Sequence, residues 1–321
     1  MDEAGTRPGE VSTPAEVEAD PRLERDYQAA LDALRNPKRL ASGLLLIGSL
    51  VAFLLLQQGQ AGSVRALVVL VVVLLFHELG HFAAMRLFGY RDVRMFFIPF
   101  FGAAVSGKRA GAAPWKEGVV LLLGPLPGIL LGFVLALRSA SLSPVMHELA
   151  VSLVTINTFN LLPLAGLDGA RLLQLLLFSR RRWLQVGFQG CAAAGAAVVA
   201  VTLQSIALGV LAYLMVIVLP HQWRVLGAAR RVREAGIALP LDAAALDGDV
   251  GRAVFLEARA NVTDLARSRP ATVAATMEQI VDAANATRPT LFASFTLGLA
   301  LFVSFVLGLA GLMLVFASPT F

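Results

Sequence analysis

The sequence predicts an all-α polytopic membrane protein of about seven transmembrane helices, with a short re-entrant loop or β-hairpin beside them. Three observations predict it. Of 321 residues, 57% are hydrophobic and 15% charged, against roughly 45–50% and about 25% in an ordinary soluble domain, more apolar surface than a water-soluble chain of this size can bury. Apolar runs long enough for a lipid core of about 30 Å, which takes about 20 helical residues, recur along most of the chain. Lysine and arginine are also one-sided. With the amino terminus in the cytoplasm and the carboxyl terminus outside, the outward segments are 57–65, 138–144, the turn at 204–205 and the carboxyl end. They hold only Arg65 and Arg138 of the 27 basic residues.

Residues 1–38 are polar and carry Pro8, Pro14 and Pro21, the composition of a flexible cytoplasmic tail. They lack the basic stretch, apolar run and small-residue cleavage site of a secretory signal. Within them, Arg22–Arg35 sets Leu23, Tyr27, Leu31 and Leu34 near one side of a helix, which reads either as a membrane-surface helix or as a solvated one. A membrane domain spans 39–220. Its apolar runs are Leu40–Leu56, Ala66–Phe88, Gly118–Leu137, Val145–Ala165 and Val186–Pro220, the last too long for one span and divided near Gln204 and Ser205 into a helical hairpin. Between the second and third runs, DVRMFFIPFFGAAVSG at 92–107 is apolar but broken by Pro99 and Gly102. Too short to span, it forms the re-entrant loop or β-hairpin at the cytoplasmic interface. Residues 221–289 make a small cytoplasmic segment of short helices, with turns at Leu239-Pro240 and Arg269-Pro270. Residues 290–321 contain the last span, Thr290–Ser318, for a total of six or seven. There Thr296, Ala300, Ser304 and Gly308 recur every four residues, a stripe that lets helices approach closely, within the chain or in a homo-oligomer.

The formal charge of +5 is a matter of orientation. Arg35, Lys38 and Arg39, then Lys108, Arg109 and Lys116, then Arg180 to Arg182, then Arg224, Arg230, Arg231 and Arg233 each adjoin a span. Such clusters suit anionic headgroups, at about 1 kcal/mol per charge near the surface. The partner they imply is the lipid bilayer and no nucleic acid. A single cysteine, Cys191, excludes a disulfide framework and a cysteine-built zinc site. Asn261-Val-Thr263 and Asn285-Ala-Thr287 are glycosylation acceptors only in a secretory lumen, and the charge bias puts them in the cytoplasm.

Inside the second run stands His77-Glu78-Leu79-Gly80-His81. Two histidines four residues apart share a helix face, so both imidazoles reach one metal, with the glutamate beside them. Ionisable groups in a membrane helix cost about 2.5–3.5 kcal/mol each when charged and normally face a functional interior, which argues against coincidence. A catalytic zinc usually has three protein ligands. His147-Glu148 resembles half a second motif but lies at the outer end of its run, whereas His77 is about eleven residues from the inner end of its own. His221 sits beside Trp223 and Arg224, where an interfacial anchor is the simpler role. Asp168 is the better third candidate: it ends the fourth run on the cytoplasmic side, where Asn160, Pro163 and Gly166 loosen the helix and Gly169 permits a turn.

HELGH in a membrane span, together with Asn160-Leu-Leu-Pro163-Leu-Ala-Gly-Leu167-Asp168-Gly169, resembles the site-2 protease family of intramembrane zinc metalloproteases. The resemblance covers about residues 66–178. It implies a Zn2+ cofactor held by His77, His81 and Asp168, Glu78 as catalytic base, and a three-helix catalytic core made of the second, third and fourth spans. It also suggests Asn160 as a donor to the oxyanion or the substrate backbone; capping a broken helix is the alternative role. Two features depart from the family pattern. Ala165 stands where a second proline is common, and the third span reads Gly124-Pro125-Leu126-Pro127-Gly128 where the family often places an asparagine after the glycine-proline. A second Leu-Asp-Gly, at 246–248, lacks the upstream asparagine and proline and is read as coincidence.

The function implied is intramembrane zinc endopeptidase, hydrolysing membrane-anchored protein substrates near the cytoplasmic side. Because a helical substrate hides its carbonyls in its own hydrogen bonds, it has to unwind, and the 92–107 segment is either the partner for the unwound strand or a hydrophobic lid packed on the core. The runner-up is a membrane zinc protease of the prenyl-protein-processing type, which takes a later glutamate as third ligand. A metal transporter would need polar residues along several spans, and an inactive scaffold usually has a broken motif; neither fits these residues.

Overall fold

The computed structural model describes residues 13–36, 46–51, 63–98, 102–108, 113–138, 141–164, 166–178, 182–202, 204, 206–287 and 289–317. In chain order its elements are α1 (Pro14–Ala19), α2 (Pro21–Arg35), α3 (Val64–Leu87), β1 (Arg91–Ile98), β2 (Gly102–Lys108), α4 (Pro114–Leu123), α5 (Pro125–Ala136), α6 (Pro144–Asn160), α7 (Asp168–Leu173), α8 (Arg182–Thr202), α9 (Ile206–Glu234), α10 (Gly248–Ala260), α11 (Asp264–Arg267), α12 (Pro270–Asn285) and α13 (Leu291–Ala317). They form two units, one from Met1–Arg39 with Val218–Ala286 and one from Leu40–Ile217 with Thr287–Phe321. Most described residues are helical, and the strands form one two-stranded sheet.

In the first unit, local chemistry starts each N-terminal helix. Thr13 and Glu16 form a reciprocal capping box before Pro14, and the Asp20 carboxylate accepts from Arg22 N before Pro21, each proline preset for the first helical position. On α2, Tyr27, Ala30, Leu31 and Leu34 follow helical spacing and are buried. Their partners are Val225, Ala228, Ala229 and Val232 of α9, Val254, Phe255 and Ala258 of α10, and Val273, Met277, Ile280 and Val281 of α12. Polar contacts cross the same seams. Tyr27 Oη donates to Gly248 O at 3.3 Å, and Arg35 to Leu246 O at 2.9 Å. Arg252 reaches Glu18, Glu24 and Asp249 at 3.2–3.3 Å, and Arg259 pairs with Asp26.

Residues 1–38 are thus not a free tail in their described part, and the 22–35 helix is neither a solvated helix nor one whose apolar side is left for lipid. Its apolar stripe is the wall of a core whose other walls lie some 200 residues further along the chain. In the second Leu-Asp-Gly, Leu246 is fully buried and Asp247 caps α10, with Gly248 at a positive φ of 52°. Asn261 Nδ2 donates to Glu257 O at 2.6 Å, and Asn285 Nδ2 to Pro240 O at 2.8 Å, so both amides are engaged by backbone carbonyls, Asn261 buried and Asn285 half-buried.

In the second unit, the run predicted at 66–88 is α3. The run at 118–137 is a helix interrupted at Gly124-Pro125, where α4 gives way to α5. The run at 145–165 ends early: α6 stops at Asn160, and its 17 residues measure about 25 Å. Residues 161–164 leave the helix in a turn, and α7 begins at Asp168. The 186–220 run does divide where expected, α8 ending at Thr202 and α9 beginning at Ile206, with Gln204 at φ 49°. Pro220 does not end α9, which continues to Glu234. Among the described residues, five helices are long and apolar enough to cross a membrane: Val64–Leu87, Pro114–Ala136, Trp183–Thr202, Leu208–Glu234 and Leu291–Ala317. The expected first span, Leu40–Leu56, lies mostly outside the described residues, with 46–51 helical.

Of the two forms expected at 92–107, the structure is the antiparallel hairpin β1–β2, with Phe96 opposite Ala104 and a bulge between Arg91 and Arg94. Alternation sets Val93, Met95 and Phe97 on its buried face. Phe97 N also donates to Ser49 Oγ at 2.8 Å. Part of the stripe on α13 packs within the chain: Ser304 and Gly308 are buried, and a Cβ on Gly308 would stand 2.1 Å from Thr158 Oγ1 of α6, whereas Thr296 is exposed.

Candidate metal centre

The helical period sets His77 and His81 on one face of α3, and the polar side chains there are buried: His77, Glu78 and His81 all lie below a tenth exposed, while Leu79 between them is half exposed. The rings stand edge to face, 4.8 Å between centroids. This brings His77 Nε2 and His81 Nε2 to 3.1 Å. Asp168 enters from α7. Its Oδ2 is 3.1 Å from His77 Nε2 and 3.2 Å from His81 Nε2, so three donor atoms form a nearly equilateral triangle. Zinc bonds of about 2.0–2.1 Å in a tetrahedron separate ligand atoms by roughly 3.3–3.4 Å, so the residues present fit one such ion in both donor type and spacing. The Glu78 carboxylate lies close enough that its oxygen and the two imidazole nitrogens fall within 4.8 Å of one another.

The outer nitrogens of both rings are held as well. His81 Nδ1 is 2.8 Å from the Val120 carbonyl of α4, and His77 Nδ1 is 2.8 Å from Asn157 Oδ1 of α6. A carbonyl only accepts, so His81 donates to it from Nδ1, and Nε2 is the nitrogen that faces His77 and Asp168.

The third span contributes close approach. A Cβ on Gly124 would stand 2.2 Å from His81 Nε2, and one on Gly128 would stand 2.2 Å from Asn157 Nδ2. The Gly-Pro-Leu-Pro-Gly segment therefore supplies two gaps, into which the histidine and the asparagine from neighbouring helices fit. No polar side chain comes from this segment itself.

The structure brings His77, Glu78, His81 and Asp168 together, and the contacts of the other candidates are with other residues. Asn160 is the last residue of α6, half-buried, and its Nδ2 donates to Ile156 O of its own helix at 3.2 Å. His147 sits in the first turns of α6, ten residues or about 15 Å of helix from Asn157, and its neighbour Glu148 pairs with Arg65 at 2.8 Å. His221 belongs to the other unit, where its Nε2 meets Gln279 Oε1 at 2.9 Å. Sequence reasoning missed Asn157, Gly124 and Gly128. The signals were present: an asparagine in an apolar run, and glycine at 124, 128 and 132, every fourth residue.

Comparison with known proteins supports the same region. Residues 65–154 match the model of peptidase family M50; the match takes in His77, Glu78 and His81 and ends before Asn157 and Asp168. Stage IV sporulation protein FB of Bacillus subtilis (strain 168) is 40% identical over 126 residues, 37% of this chain and 42% of that protein. Zinc metalloprotease MJ0392 of Methanocaldococcus jannaschii is 26% identical over 124 residues, 37% of this chain and 36% of that protein. The chain thus spans less than half the length of these relatives. Among solved structures, the site-2 protease from Methanocaldococcus jannaschii aligns with a TM-score of 0.42 at 19% identity, over 55% of this chain and 87% of that one.

Proposed function

The chain carries a domain of peptidase family M50, and from that premise we propose that it is an intramembrane zinc metalloprotease that hydrolyses peptide bonds of membrane-anchored protein substrates. The observation that carries the reading is the triangle of His77 Nε2, His81 Nε2 and Asp168 Oδ2, with edges of 3.1–3.2 Å. These three residues would hold the zinc, which supplies Lewis-acid polarisation of the scissile carbonyl and a water acidified toward a pKa of about 7.

Glu78 accepts the proton of the attacking water and returns it to the departing amine nitrogen, one carboxylate serving as base and then acid. His81 and His77 keep their protons on Nδ1, away from the reacting atoms. Asn160, at the open end of α6, is the donor proposed for the substrate backbone or oxyanion. The substrate strand unwinds and pairs along β2, because β1 already faces β2 on one side and Ser49 on the other. With the basic clusters cytoplasmic, the chain crosses the bilayer seven times, counting Leu40–Leu56 and the short α6, and its carboxyl end is outside.

The prenyl-protein-processing alternative is less well supported, since an aspartate from α7 already stands at the third position. Two substitutions test the proposal on the purified full chain. Glu78→Gln should retain zinc and lose cleavage of a co-reconstituted single-span substrate by about 10²–10⁴-fold, whereas Asp168→Ala should lose the zinc itself. Cleavage surviving Glu78→Gln would overturn the mechanism, and zinc surviving Asp168→Ala would remove Asp168 from the ligand set. Glu78→Ala in the native membrane, followed by capture of bound membrane proteins, would identify the substrate.

A further inference from the structure

We propose that Asn157 is a positioning residue for the metal centre, fixing the tautomer and the ring plane of His77. The inference rests on the zinc reading above and concerns a residue outside both sequence motifs.

Asn157 is fully buried in α6. Its Nδ2 donates to Leu153 O at 2.8 Å, and its Oδ1 stands 2.8 Å from His77 Nδ1. The two contacts fix each other. Leu153 O can only accept, so the NH2 side of the amide must face it, which turns the carbonyl oxygen toward His77. That oxygen also only accepts, so His77 Nδ1 must carry the ring proton and Nε2 must carry the lone pair. The backbone of α6 thereby dictates, through one amide, which nitrogen of His77 is left to bind metal.

The neighbouring helix secures the arrangement. Gly128 of α5 packs so closely that a Cβ there would come within 2.2 Å of Asn157 Nδ2 and 2.5 Å of Cγ, so the amide is held in its slot from the opposite side. The two histidines are oriented by different means. His81 leans on the Val120 backbone, which no substitution removes, and His77 leans on a side chain. His77 is the ligand whose orientation depends on one replaceable residue. Acceptors on the far nitrogen of a metal-binding imidazole typically contribute 10–100-fold to metal affinity.

The test measures zinc affinity of the full-length protein in detergent by competition with a chelator, and the melting temperature of each variant with the metal stripped. Asn157→Ala, which removes the acceptor, should weaken zinc binding 10–100-fold while the stripped protein melts close to the parent. Asn157→Asp gives up the donor to Leu153 O but keeps an oxygen that can face Nδ1, and should bind zinc more tightly than Asn157→Ala. Gly128→Ala, which displaces the amide without removing it, should weaken zinc in the same direction as Asn157→Ala. Should Asn157→Ala fail to fold, Asn157→Asp and Gly128→Ala still decide the matter, because zinc at parental affinity in Gly128→Ala, or lost equally in Asn157→Asp, contradicts positioning. Parental affinity in a folded Asn157→Ala overturns the proposal directly. A parent that binds no zinc fails the metalloprotease reading itself, a different outcome from a zinc-binding parent whose Asn157 variants do not differ.

Discussion

Gly124→Ala reverses an ordinary expectation. Alanine is favoured over glycine by about 0.8–1.0 kcal/mol in a helix interior, and Gly124, at the junction of α4 and α5, has dihedrals in the helical region, φ −66° and ψ −68°. Intrinsic propensity therefore predicts a more stable protein. The added Cβ, however, would stand 2.2 Å from His81 Nε2, 2.3 Å from Cε1 and 2.8 Å from Cδ2, where ordinary contact begins at 3.4 Å. Relief takes a movement of about 1.2 Å by the ring or the helix, while metal–ligand distances hold only within about 0.2 Å. The ring has no slack, with Nδ1 at 2.8 Å from Val120 O and Nε2 at 3.1–3.2 Å from the other two donors. Zinc affinity should fall at least 100-fold, about 2.8 kcal/mol, with helicity by circular dichroism unchanged. Chelator competition on the purified protein reads it. Gly118→Ala is the control, since its Cβ would meet the end of the flexible Leu297 side chain at 2.5 Å; it should lower the melting temperature and leave zinc in place. Gly124→Ala with parental zinc affinity would refute the packing argument.

Three further outcomes follow from the two units taken separately. Leu31→Ala removes a fully buried side chain of α2 and should cost about 2–5 kcal/mol, read as faster proteolysis within residues 13–36. Burial raises the Tyr27 hydroxyl above its ordinary value, so the neutral form is favoured by folding; that stability is present below about pH 10 and lost as pH rises through the raised value. The parent should thus lose more melting temperature above pH 10 than Tyr27→Phe, and identical alkaline profiles would contradict it. Gly308→Leu should strip α13 from α6, because its Cβ would meet Thr158 Oγ1 at 2.1 Å, whereas Gly298→Leu, with its nearest neighbour 3.9 Å away, should melt like the parent.

What was legible in the sequence follows from how locally each feature is determined. The histidine pair and Glu78 could be placed because a helix period alone puts positions 77 and 81 on one face, and Asp168 because a carboxylate ending an apolar run needs a partner. The division of the long run at Gln204 could be read from length against bilayer thickness. The 1–38 segment misled because its composition is that of a tail, and the residues that bury Tyr27, Leu31 and Leu34 come from 225–232, 254–258 and 273–281, a distance over which no local pattern carries information. The same holds for the early end of α6: hydropathy continues to Ala165, but the helix stops at Asn160 and Asp168 stands against the two rings.

Asn157 and the glycines went unread for a related reason, and together they explain why the third span could depart from the expected pattern. A metal site inside a membrane must satisfy every polar atom from within the protein, and each histidine needs an acceptor on its far side. One acceptor here is a backbone carbonyl of α4 and the other an amide of α6, so α4 and α5 need contribute no polar side chain. They must instead come near enough for Val120 O to reach His81 and for the Asn157 amide to be held against α5. Nearness of that kind is encoded by missing atoms, at Gly124 and Gly128, which a search for chemistry-bearing residues passes over. An alanine at either glycine would leave His77, Glu78, His81 and Asp168 in the sequence and remove the space that brings them into register.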